Sequence, residues 1–193
     1  MSEGWYEIVN ADIPITQGDI IFNCPLIGWK PHIITLQGKE ISEVLKSSID
    51  SICADVVVLT QACDIEHHKV DHIILCPHQT LDEYQTLWEE DMKNKNQAST
   101  SKAWRRHCDD ICDGFIWNLT MLNSLKVNDF TIDIRIVDFH YVFTIPRIFL
   151  ESLLEQRNEK RFRLLPPYRE HLSQAFARFF MRVGLPIDIN KNW

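Results

Sequence analysis

Apolar and polar positions fall into short blocks over the first eighty residues and into helical spacing after them. Gln17-Gly18 is a turn signal ahead of Asp19-Ile-Ile-Phe-Asn-Cys24, a strand that Pro25 ends. Pro31-His-Ile-Ile-Thr-Leu36 predicts a second strand, and Gln37-Gly38 a second turn. Residues 39–54 fit either a short helix or a long connection. Val56-Val-Val-Leu-Thr60 and His72-Ile-Ile-Leu-Cys76 are continuous apolar runs rich in β-branched residues, which predicts buried strands. Pro77 closes the second.

Residues 81–113 change character. Leu81, Tyr84, Leu87 and Trp88 recur at helix spacing. Ser99-Thr-Ser101 offers an N-cap to a second helix with Trp104, His107, Cys108, Ile111 and Cys112 on one face, and Gly114 stops it. About 30 residues rarely build their own core, so this segment reads as a helical insertion. Strands are predicted again over residues 115–121 and 130–139. Helices follow at about 146–156 and 168–183, separated by a charged connection over residues 157–163. In the last helix Leu172, Ala175, Phe176, Phe179, Phe180 and Val183 form a core stripe.

A length of 193 residues with 45% apolar side chains suits one domain carrying an insertion, residues 1–193. Met1-Ser-Glu-Gly-Trp-Tyr-Glu7 has no basic start and no apolar run, and no stretch reaches the length of a membrane span. A cytoplasmic protein with no membrane association is expected, and its six cysteines should be mostly reduced. Cys24 and Cys76, inside apolar strands, are expected to pack as small hydrophobes. The net charge of −7 is uneven: residues 1–138 hold 11 basic and 22 acidic side chains, and residues 139–193 hold 9 and 5. Only the later segment offers a cluster for phosphate or an acidic partner, with Arg157, Lys160, Arg161, Arg163 and Arg169 as candidates and Tyr168 as a stacking surface. Surface ion pairs with Glu151, Glu155, Glu159 and Glu170 are the alternative.

The hairpin from residue 55 to 78 gathers histidines and cysteines. Cys63, His67, His78 and Cys108 could hold zinc, a reading set against a polar hairpin tip with exposed histidines. A nucleophilic Cys63 beside Asp64 and a histidine is a further possibility. The acidic runs Glu89-Glu-Asp91 and Asp109-Asp110 with Asp113 read as solvated helix faces.

Gln17-Gly-Asp-Ile-Ile21, Val56-Val-Val-Leu-Thr-Gln61, Ile73-Ile-Leu-Cys-Pro77, Arg135-Ile-Val-Asp138 and a last helix closing on Gly184-Leu-Pro186 stand in an order that resembles the MazF/PemK family of toxin–antitoxin ribonucleases. The resemblance implies an α+β, mainly β fold: a small curved antiparallel barrel with a C-terminal helix, often dimeric, acting in a bacterial stress or defence system. The family cleaves single-stranded RNA without metal, using an arginine before the second motif and a serine or threonine two residues after the Ala/Val-Pro proline. Those positions fall here at Ala54 or Asp55 and at Gln79, with Thr80 beside it. An aspartate would repel the phosphate that an arginine holds. His78 could serve as base with Gln79 and Thr80 orienting the substrate, the cation coming from Lys69, Arg105 or Arg147, though no spacing delivers one. Three readings follow. The first is a non-catalytic binding or regulatory module for a protein partner or nucleic acid, with partner specificity in the insertion. The second is a metal-independent endoribonuclease with a rewired site. The third is a zinc-stabilised structural protein.

Overall fold

A computed structural model of the protein describes residues 4–30 and 40–181. In chain order the elements are β1 (Tyr6–Val9), β2 (Asp19–Trp29), α1 (Ile41–Ser48), β3 (Ile49–Val58), α2 (Ala62–Glu66), β4 (His72–Thr80), α3 (Leu81–Asn94), α4 (Ser101–Cys112), β5 (Leu119–Leu122), β6 (Leu125–Val127), β7 (Phe130–Ile132), β8 (Arg135–Asp138), β9 (Phe143–Pro146), α5 (Arg147–Arg157), β10 (Arg161–Leu164) and α6 (Tyr168–Phe180). The fold is mixed α/β, and every pairing among the described residues is antiparallel. No helix among them is long and apolar enough to cross a membrane.

The sheet is antiparallel, as expected, but it does not close into a small curved barrel. The main sheet runs β1-β10-β2-β3-β4-β8-β5, with β9 also on β4, and its ladder stays open at β1 and β5. Side chains take the place of the missing pairing. The Tyr6 phenol donates to the Asn123 carbonyl at 2.7 Å, and Leu125 and Phe130 of the separate β6–β7 ribbon pack against the core that holds Tyr6, Leu122 and Phe162. Strands β8 and β9 follow one another along the same strand, β4, joined by a three-residue excess. His78 faces Val137, whereas Leu75 faces Phe143. The Cys76 thiol sits under this excursion, 3.2 Å from the carbonyls of Asp138 and Tyr141.

Strand alternation sorts the core onto two faces. Ile20, Val57, Leu59, Cys76 and Val137 face one cluster, which α6 covers with Leu172, Phe176 and Phe179. Ile21, Val56, Val58, Ile73 and Leu75 face the other, which α5 covers with Leu150, Leu153 and Leu154. Both faces being covered explains the continuous apolar runs at residues 56–60 and 72–76. Helices α3 and α4 pack by Ile111, Leu81 and Tyr84 onto Leu119 and Ile136.

Strand β10 replaces the charged connection expected at residues 157–163. Phe162 and Leu164 enter the core, while Arg161 and Arg163 converge on Asp19, which is fully buried. Arg161 Nε donates to Asp19 Oδ2 at 2.8 Å and Arg163 Nε to Oδ1 at 2.5 Å. Gly18, at φ +84°, lies so close that an added Cβ would meet Leu164 Cβ at 3.0 Å, so this turn requires glycine. Other expectations shift too. The strand over residues 130–139 is broken into β7 and β8, and the one over 115–121 shortens to β5. The strand at 31–36, the turn at 37–38 and the end of the last helix beyond 181 lie outside the described residues.

Helix α3 begins with a reciprocal cap. Thr80 Oγ1 accepts from Glu83 N at 3.2 Å, and Glu83 Oε2 accepts from Thr80 N at 2.8 Å. Thr80→Ala should destabilise the protein by about 1 kcal/mol, read as a lower urea midpoint at unchanged slope.

Candidate functional site

The site is built around a bulge. The β2–β3 register shifts between Ile21 and Cys24, and Asn23 takes φ 49° there. Asp55 Oδ1 accepts from Asn23 N at 2.9 Å, and Arg157 donates to the carbonyls of Phe22 and Asn23 at 2.8 and 2.6 Å. The bulge brings Phe22 beside His78: the rings meet edge to face with centroids 6.1 Å apart. Arg135 lies over the same Phe22 ring at 5.1 Å and donates to Asp55 Oδ2 at 3.0 Å.

His78 is 6% exposed, its ring nitrogens are closed to solvent, and neither makes a hydrogen bond of good geometry, although a weak bond to the Val56 backbone works against the fall in its pKa. Burial, helped by the Arg135 charge, pulls its pKa down to about 3, so the imidazole is neutral near pH 7. A neutral imidazole offers one donor and one acceptor. Arg135 Nε is likewise buried and unpaired. Buried polar groups are almost always satisfied, so these two neighbours set this part of the sheet apart from an ordinary core.

His78 and Gln79 line two adjoining grooves. The larger, about 930 Å³, adds Tyr84, Leu87, Trp88, Asp91, Asp138 and Tyr141. The smaller, about 520 Å³, adds Asn23, Cys53, Asp55, Glu83 and Leu87. Leu87 belongs to both and is 52% exposed. Behind it, Tyr84 Oη and His107 Nε2 share a hydrogen bond of 2.8 Å, and Trp88 and Trp104 stand with ring centroids 5.1 Å apart. Burial, with Asp138 adding, pushes the Tyr84 phenol up to about 12, and burial lowers the His107 pKa. This pair holds α3 against α4 as a neutral bond.

The other sequence-predicted residues fall elsewhere. Thr80 is occupied as the α3 cap and its hydroxyl donates to Glu83 at 2.8 Å. Cys63 sits on α2 and His67 caps its C-terminus, before the His72 end of β4, whereas His78 is six residues further along that strand, about 20 Å from His72. No group of three His, Cys, Asp or Glu side chains among the described residues is placed to hold a metal ion. The set Cys63, His67, His78 and Cys108 is therefore not brought together. The Cys63 thiol faces the Asp64 carboxylate at 3.7 Å. Cys24 and Cys76 are both fully buried, and burial pushes the Cys24 thiol up to about 11.

The basic cluster turns inward. Arg161 is 5% exposed and also donates to the carbonyls of Asn10, Ile13 and Pro14. Arg163 reaches Asp19 and Pro14, Arg169 pairs with Glu170 at 2.7 Å, and Lys160 lies over Phe130 at 5.5 Å. These cations are engaged within the chain. Of the three candidate cations, Lys69 pairs with Asp64, Arg147 bonds His68 and Glu151, and Arg105 lies on α4. The cation beside His78 is Arg135, which sequence reading passed over as part of a strand motif. Its alternation with Val137, placing both on one strand face, was the available signal.

No protein-family model matches this chain, and no curated protein matches it significantly.

Proposed function

We propose that this chain is a non-catalytic binding or regulatory module of MazF/PemK-like cast, its open sheet a derivative of that family's curved barrel, working in the bacterial cytoplasm within a toxin–antitoxin-like stress or defence system. Its partner is a protein, held in the grooves that meet at His78, Gln79 and Leu87. The observation that carries this reading is Leu87, an apolar side chain 52% exposed where the two grooves meet. The family's arginine position falls at Ala54 or Asp55, and Asp55 engages Arg135. An anion would have to displace that carboxylate, which weighs against phosphate as the ligand.

A rewired endoribonuclease is the second reading, favoured by Arg135 standing beside His78 with its Nε free. One experiment separates the two. Purified protein is incubated with mixed-sequence single-stranded RNA, with and without EDTA, alongside His78→Ala and Arg135→Ala. No cleavage is expected. Cleavage that resists EDTA and vanishes in both variants would replace the binding module by the nuclease. For the binding module, co-expression with proteins encoded by neighbouring genes should give a complex on size exclusion, and Leu87→Asp should weaken it by about 30-fold or more, as loss of a central apolar contact does. A chain that stays alone with every neighbour would leave the reading without content.

A further inference from the structure

Strands β2 and β3 run on past the rest of the sheet as a two-stranded arm. Strand β10 meets β2 at Asp19 and Ile20, and β4 meets β3 from Val56 to Val58. From Cys24 to Trp29 and from Ile49 to Ala54 the two strands pair only with each other among the described residues. Partners across the ribbon share a face, so Ile27 lies beside Ser51 and Trp29 beside Ile49. That face is bare: Ile27 is 74% exposed, Trp29 61% and Ile49 39%. Leu26, on the other face, is buried in the core, while Ile52 beside it and Ile41 and Leu45 of α1 are exposed. Residues 49–53 are all exposed. Their edge, Ile49-Asp-Ser-Ile-Cys53, carries neither the lysine nor the proline that guards such an edge elsewhere. A two-stranded ribbon is marginal in water by itself.

We propose that this arm is the interface of a homodimer, in which the β3 edge over residues 49–53 pairs antiparallel with the same edge of a second copy, about a two-fold axis near Ser51. The protein-partner reading above concerns the grooves at Leu87 and stands or falls separately. Three features favour a second copy as the occupant. The first is self-complementarity. An antiparallel pairing of one edge with its own copy puts the same residues on both sides, as an isologous contact requires. Ser51 N donates to Asp50 Oδ1 at 2.9 Å, an exposed local bond that a neighbouring strand can replace. The second is area. Ile27, Trp29, Ile41, Leu45, Ile49 and Ile52 together expose roughly 600 Å², the upper end of what a monomer leaves bare and most of the ~800 Å² each partner brings to a stable complex. The third is charge. Residues 24–30 and 41–53 balance Lys30 and Lys46 against Glu43 and Asp50, whereas the whole chain carries −7. Two copies therefore meet here without the like-charge cost that other faces would impose.

Sedimentation velocity of the full chain over a concentration series reads the assembly directly. A species of twice the 22.7 kDa chain mass is expected. Trp29→Asp should weaken the dimer by about 30-fold or more, as loss of a central aromatic contact does. Ser51→Lys should weaken it too, because two lysines would face each other across the axis, while the exposed position leaves the monomer's fold unchanged. Leu87→Asp should leave the dimer intact. Amide hydrogen exchange adds a local readout that a folding defect would not imitate. In the native protein the amides of residues 49–53 should exchange more slowly as concentration rises, and in Ser51→Lys they should not respond. A chain that is monomeric throughout the series would overturn the proposal. So would a dimer indifferent to both arm variants, or one broken by Leu87→Asp instead. A monomer whose complex with a neighbour-encoded protein is lost in Trp29→Asp would assign the arm to that foreign partner. That result would overturn the homodimer and leave a protein-binding function standing. A dimer that binds no neighbour-encoded protein would uphold the arm and remove the groove reading alone.

Discussion

Asp19→Ala is expected to destabilise the fold by about 3–5 kcal/mol, the loss typical of stripping one partner from a buried ion pair. The carboxylate is fully buried, and it accepts from both Arg161 and Arg163 and from the backbone N–H of Thr16 at 3.1 Å. Removing it leaves two guanidiniums in the protein interior with their positive charges facing each other. Urea denaturation reads the effect directly, and the melting temperature should fall by about 2–4 °C for each kcal/mol lost. The triple replacement Asp19→Leu, Arg161→Met and Arg163→Leu should recover much of the loss, because no buried charge remains unpaired. A single Asp19→Ala protein as stable as the native one would mean that the triad contributes nothing to the fold.

Acid should destabilise the protein through His78. Its folded pKa lies near 3, against 6.5 for an ordinary histidine. Between those values the unfolded chain binds a proton that the folded chain refuses. Stability conferred by keeping this imidazole neutral is thus complete above pH 6.5 and is lost as the pH falls toward 3, at up to about 1.4 kcal/mol per pH unit. Carboxylates such as Glu83, whose pKa is lowered first by the Thr80 backbone bond, also lose stabilisation in acid. The informative quantity is therefore the difference between native protein and His78→Leu, in which the carboxylate terms are shared. The two urea midpoints should separate progressively below pH 6.5, the variant being the more stable. At pH 7 the variant should already be level or ahead, since a buried, poorly satisfied polar ring is replaced by an apolar side chain. Parallel pH curves would assign the acid sensitivity to other groups.

Local pattern made much of the fold legible. Residues 56–58 and 73–76 are buried strand, as continuous β-branched runs imply, and the helices expected at 146–156 and 168–183 occur as α5 and α6 with ends displaced by a residue or a few. The two helices of the insertion begin where Thr80 and Thr100 cap them. The misreadings share one physical cause: the deciding contact was distant. β10 looks like a charged linker because its arginines are neutralised by Asp19, 142 residues away from Arg161. Between the open edges of the sheet, Tyr6 bonds Asn123 across 117 residues with a side chain rather than a ladder. The site was half legible. His78 and Gln79 could be picked out by their place after Cys76-Pro77, but Arg135 joins them only through the pairing of β8 with β4. Cys63, His67 and His78 lie on one hairpin in sequence, yet the length of β4 keeps His78 at its far end.

The order β1-β10-β2 has a consequence for how the chain comes to be made. β1 and β2 are neighbours in sequence, but Tyr6 pairs with Leu164 and Asp19 with Arg163. During synthesis the first two strands leave the ribosome long before the strand that must sit between them, at about 5–20 residues per second. For several seconds Ile20 and Val57 have neither β10 beside them nor α6 above them, and Asp19 is a hydrated carboxylate with no cation. The nascent chain is at its most adhesive in that interval, and its demand for a holding chaperone is set by topology, independent of the stability finally reached.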